Sequence, residues 1–88
     1  MKLNADYVLR QIAGHWMVLP IGQSAMDFSG MIRLNETGAM LWKLLESGCD
    51  KQALVDALTR EYNVTSEQAD ADVEEFLDKL VRSGCLER

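Results

Sequence analysis

The sequence predicts an α+β domain in which three short antiparallel strands are followed by three helices. Two observations carry this prediction. Up to position 34, apolar residues tend to alternate with polar ones, and β-branched and aromatic types are common. From position 36 onward, apolar residues recur every three or four positions, and each run is closed by a polar cap or a glycine.

The strands come first. "YVLRQIA" (7–13) and "HWMVLPI" (15–21) form a hairpin, and Gly14-His15 fits a type II′ reversal between them. "GQSAMDFS" (22–29) reads as loop. A third strand covers about 30–34, ending in "MIRL". Its alternation sends Ile32 and Leu34 to one face and Met31 and Arg33 to the other.

The helices follow. Asn35 is the N-cap of a helix over 36–46 with apolar Leu41, Trp42, Leu44 and Leu45, stopped by Gly48. Asp50 caps a second over 51–62, with a stripe of Leu54, Val55, Leu58 and Tyr62. Thr65 and Gln68 fit a capping box for a third over 66–83. Ala69, Val73, Phe76, Leu77, Leu80 and Val81 form its buried face, and Gly84 ends it. Helices this short do not persist alone in water, so their stripes must pack on one another and on one face of the sheet. Short helix, turn, helix, then a longer helix beside a small sheet is a winged helix-turn-helix-like arrangement.

Composition removes several function classes. Eighty-eight residues with 48% hydrophobic content make one domain that folds without staples. No apolar run is long enough to span a bilayer, and "MKLNADYVLR" lacks the apolar stretch of a signal peptide, which predicts a cytoplasmic protein with no membrane partner. Cys49 and Cys85 each stand in a Ser-Gly-Cys tripeptide after a helix, reading as small apolar residues against the last turn. One histidine, His15, and two separated cysteines make no metal site.

Net charge is −5, and the first 34 residues hold three basic and two acidic side chains. The acidity therefore lies in the helical half. The third helix alone carries Glu67, Asp70, Asp72, Glu74, Glu75 and Asp78 against Lys79 and Arg82. That is the wrong sign for a recognition helix facing phosphates, so nucleic acid is not an expected partner. No catalytic residues, metal ligands or cofactor are expected either: the sequence offers no phosphate loop and no nucleophile–base pair.

Binding is left. In a simple meander the third strand lies at a sheet edge, where free N–H and C=O groups can accept an extended peptide. Such an edge also serves a general protein–protein adaptor, and the sheet's second face, with Trp16 on it, leaves room for a homodimer.

Three segments, "LNETGAMLWKLL" (34–45), "ALVDALTREYNVT" (53–65) and "DVEEFLDKLVRSGCL" (72–86), resemble the PqqD family, also known as RiPP recognition elements. The matching positions are Leu34-Asn35, Leu41-Trp42, Leu58, Tyr62, Asp72, Val73, Phe76, Leu77, Leu80, Gly84 and Leu86. The section "GHWMVLPIGQSAMDFSG" departs from members of the PQQ pathway, lacking their proline-rich strand entry. The resemblance implies a non-catalytic winged helix-turn-helix-like peptide chaperone. Its partners are the leader segment of a ribosomally made precursor peptide and a modifying enzyme, often a radical SAM enzyme. It also implies where the leader lies. Ser29, Gly30, Met31, Ile32, Arg33 and Leu34 supply strand pairing, and Asp72, Glu75, Phe76 and Lys79 of the third helix supply the wall.

Overall fold

The computed structural model describes residues 1–21 and 31–88. Eight elements run in the order β1 (Lys2–Leu3), β2 (Tyr7–Ile12), β3 (His15–Pro20), β4 (Ile32–Leu34), α1 (Glu36–Glu46), α2 (Lys51–Glu61), α3 (Ser66–Arg82) and β5 (Leu86–Glu87). The core is the expected one, a three-stranded antiparallel sheet ordered β2-β3-β4, followed by three helices.

The β2–β3 turn differs from expectation. Ile12 pairs with His15, so the two loop residues are Ala13 and Gly14 rather than Gly14 and His15. Both have positive φ, 51° and 82°, which is a type I′ turn. The I′ twist matches that of the flanking strands, so the register follows from the loop length. Pro20 falls opposite Tyr7, an even number of residues from the turn pair plus one. That is a non-hydrogen-bonded position, where a missing N–H costs the hairpin nothing.

A second sheet was not foreseen. β1 and β5 pair antiparallel, Leu3 opposite Leu86, and the Asn4 N–H donates to the Cys85 carbonyl at 2.8 Å. Two-residue strands carry too little pattern to be read locally. Their pairing rests on Leu86, which is buried, and on the packing of β1 against α1 and of β5 against α3.

The helix ends follow their sequence signals. Asn35, Asp50 and Thr65 accept the N–H of Gly38, Ala53 and Gln68 at 2.8, 2.9 and 3.1 Å. The capping box at α3 is only half formed, because the Gln68 amide donates to Asp72 instead, at 2.8 Å. Both Ser-Gly-Cys tripeptides close Schellman motifs. Gly48 (φ 88°) and Gly84 (φ 82°) turn the chain, and Cys49 and Cys85 donate their N–H to Leu44 and Leu80.

The core joins one sheet face to all three helices. Val18, Ile32 and Leu34 meet Leu41, Trp42, Leu54, Leu58, Val73, Leu77 and Leu80, all buried. Four side chains depart from the expected stripes: Val81 and Tyr62 are exposed, and Leu44 and Phe76 are half-buried at the edge of the core. Trp16 is on the helix face, not the second sheet face. Its indole N–H donates to Glu36 at 3.3 Å, and the Lys43 ammonium sits 4.3 Å over its ring.

Candidate peptide-binding groove

The register of the hairpin decides what β4 exposes. A two-residue loop makes its flanking residues, Ile12 and His15, a hydrogen-bonded pair. Alternation then directs the backbone groups of His15, Met17 and Leu19 toward β2, and those of Trp16 and Val18 toward β4. In β4, Ile32 pairs with Val18 and Leu34 with Trp16, while Arg33 lies opposite Met17. Ile32 and Leu34 therefore spend their N–H and C=O groups inside the sheet. Arg33 turns both of its own outward. Among the described residues, nothing pairs with that outer edge.

The side chains alternate with the opposite consequence. Ile32 and Leu34 are buried against the helices, and Arg33 is exposed on the second face. There its guanidinium meets the His15 Nδ1 at 2.8 Å, which orients it along the sheet. Met31, just before the strand, is 48% exposed.

Beside this edge lies a groove of about 240 Å³. One wall is Arg33, Leu34, Asn35 and Gly38, and the other is Asp72, Glu75, Phe76 and Lys79 of α3. The spacing 72, 75, 76, 79 is one helical face, so a single stripe of α3 faces the strand edge. The groove thus brings together six expected residues: Arg33, Leu34, Asp72, Glu75, Phe76 and Lys79. Met31 and Ile32 lie on or next to the same strand but do not line it. Ser29 and Gly30 lie outside the described residues.

Both signs of charge line the groove. Arg33 and Lys79 are its basic groups, and Asp72 and Glu75 its acidic ones. Glu75 and Lys79, though four apart, form no ion pair among the described residues. Asp72 is steadied by Gln68. The outer face of α3 is committed elsewhere. Lys51 bridges Asp70 and Glu74 at 3.2 and 3.0 Å, and Arg88 grips Glu74 through both carboxylate oxygens at 2.7 and 3.1 Å. These cations hold the Glu74 carboxyl down at about 2. Burial pushes the Cys85 thiol up to about 11, an inert state for a cysteine.

A second, larger hollow of about 400 Å³ opens from the groove and was not expected. It lies among the N-terminus of α1, the C-terminal end of α2 and the middle of α3. Its apolar residues Tyr62 and Val64 are exposed, at 41% and 37%. Tyr62 reads instead as the last member of a helical stripe. No group of three or more His, Cys, Asp or Glu side chains able to hold a metal ion occurs among the described residues. No helix among them is long and apolar enough to cross a membrane.

The family described as Coenzyme PQQ synthesis protein D (PqqD) matches residues 6–86. No curated protein matches the chain. The solved structure of TbiB1 in complex with the TbiA(beta) leader peptide has a TM-score of 0.83 and 29% sequence identity, covering 99% of this chain and 95% of the other. That of lasso peptide synthetase B1 complexed with the leader peptide has a TM-score of 0.81 and 23% identity, covering 99% and 96%. At that identity it speaks for the fold.

Proposed function

The chain belongs to the PqqD family, and from that premise we propose that it is a leader-peptide-binding chaperone that holds its guest as an added strand on β4. The guest is the leader segment of a ribosomally synthesised precursor, and the bound complex is presented to a modifying enzyme, a radical SAM enzyme being the expected class. The structure related at 29% identity is itself a leader-peptide complex.

The observation that supports this most is the free edge of β4 facing a helix-walled groove. Strand addition uses main-chain bonds for affinity and side-chain pockets for choice. A guest residue opposite Arg33 exchanges both backbone bonds with it, and its side chain lies on Arg33's face of the sheet. The guest residues on either side, opposite Ile32 and Leu34, direct their side chains into the groove. There Phe76 offers apolar surface and Lys79, Glu75 and Asp72 offer charge. Exposed ion pairs here contribute only ~0–1 kcal/mol each, so they select register more than they supply affinity.

Titration of the labelled domain with synthetic leader peptides, followed by NMR, tests the reading. Amide shifts should concentrate on Met31–Leu34 and on the 72–79 face of α3. Arg33→Pro removes the outward N–H without costing the sheet a bond, while Arg33→Ala removes only the side chain. Arg33→Pro should bind at least roughly tenfold more weakly than Arg33→Ala, with both variants folded. Equal affinity of the two variants rules out pairing at Arg33. Ile32→Pro, by contrast, breaks the bond to Val18 and should unfold the sheet.

A further inference from the structure

Resting on that leader-binding reading, we propose that the sheet face turned away from the helices is the docking surface for the modifying enzyme. Its occupant is an apolar protein surface flanked by carboxylates. The helices cover one face of the sheet, through Val18, Ile32 and Leu34. Alternation turns Arg10, Ile12, Met17, Leu19 and Arg33 to the other face. The apolar members of that set lie outside the core cluster. Ile12 is 48% exposed, and Met17 and Leu19 are half-buried.

The registers align three of these residues. Arg10 pairs with Met17 and Met17 with Arg33, so one row across the sheet reads cation, thioether, cation. Neither arginine forms an ion pair among the described residues. The Arg10 guanidinium donates to the Leu9 carbonyl at 2.9 Å, and that of Arg33 meets the His15 ring at 2.8 Å. β2, β3 and β4 contain no acidic residue, in a chain whose net charge is −5.

That charge selects the occupant. A second copy packed face to face would set the same arginines against each other. A nucleic acid would gain two cations here and face a net negative chain. A protein surface with one apolar side chain between two carboxylates satisfies the whole row. The outer strands of the row are about 10 Å apart, and seven residues of helix rise by about the same distance. A helix laid across the strands, with Asp or Glu at i and i+7 and an aliphatic residue between them, therefore fits. The face meets the β4 edge along Arg33 and leaves the groove on the helix side free, so guest and enzyme can be held together.

Isothermal titration of the leader-loaded full chain with the peptide-modifying enzyme encoded in its gene neighbourhood tests this. Arg10→Glu and Ile12→Glu, both on β2 and away from the β4 edge, should each weaken enzyme binding roughly tenfold or more. Leader affinity and melting should stay near those of the parent. Added salt should weaken enzyme binding by the parent more than by Arg10→Glu. A photo-crosslinker at position 12 should capture an enzyme segment carrying two carboxylates around an apolar residue. Enzyme binding that ignores Arg10→Glu, Ile12→Glu or salt overturns the docking face and leaves leader binding standing. So does a captured segment without acidic residues, or a chain that binds its leader and not the enzyme. A chain that binds no leader overturns the leader-binding reading and this inference with it.

Discussion

Arg33 and its neighbours differ by one step along the chain and have opposite roles. The side chains of Ile32 and Leu34 are core and their backbones are sheet, whereas the Arg33 side chain is exposed and its backbone is edge. A single residue thus turns its main chain to the free edge of the sheet, while His15 steadies its guanidinium. Glu74 makes a different point at the same scale. Its folded carboxyl, at about 2, lies below the ordinary 4.5 because Arg88 and Lys51 hold it ionised. A lowered carboxyl adds stability above its ordinary value and loses it as pH falls from about 4.5 toward about 2. Glu74→Gln should therefore melt lower than the parent at pH 7, and the difference should shrink toward pH 2. A constant difference in melting temperature across that range would show that the Arg88 and Lys51 contacts do not act through charge.

At the scale of elements, ends are better specified than edges. Each N-cap and both Schellman turns are local motifs that need only a few adjacent residues. The hairpin turn is the weak piece. Ala13 sits at φ 51°, a left-handed conformation that disfavours a Cβ. Asn tolerates that region and restores the Asn-Gly pair typical of type I′ turns. Ala13→Asn should stabilise the domain by about 0.5–1 kcal/mol in urea unfolding with no change in register. A loss of stability would mean that the Ala13 side chain has a role the turn geometry does not reveal. The β4–α1 junction is the element pair that shapes the groove. Leu34 ends the strand in the core, and Asn35 immediately caps the helix, so the groove and the neighbouring hollow meet where the two elements join.

At the scale of the whole molecule, one core serves sheet and helices together. Leu77 is fully buried on the side of α3 turned away from the groove residues Glu75 and Lys79. Leu77→Ala should cost about 2–5 kcal/mol in denaturant unfolding. Peptide affinity should fall only as far as the folded fraction does. Affinity lost well beyond unfolding would show that α3 shifts against β4 when its packing loosens. β5 and the Arg88–Glu74 contact lie along another side of α3, away from the groove.

Periodicity, caps and turn residues were enough to read the order and type of the main elements, because those signals act over a few neighbouring residues. Alternation in "MIRL" likewise separated Ile32 and Leu34 from Met31 and Arg33 on opposite faces, and the structure turns the first pair inward. The short terminal strands, the outward turn of Phe76 and Tyr62, the side of the sheet taken by Trp16 and the hollow beyond the groove were decided only in three dimensions. Each depends on which surfaces distant segments bring together, and an apolar residue carries the same local pattern whether its partner is the protein's own core or a guest chain.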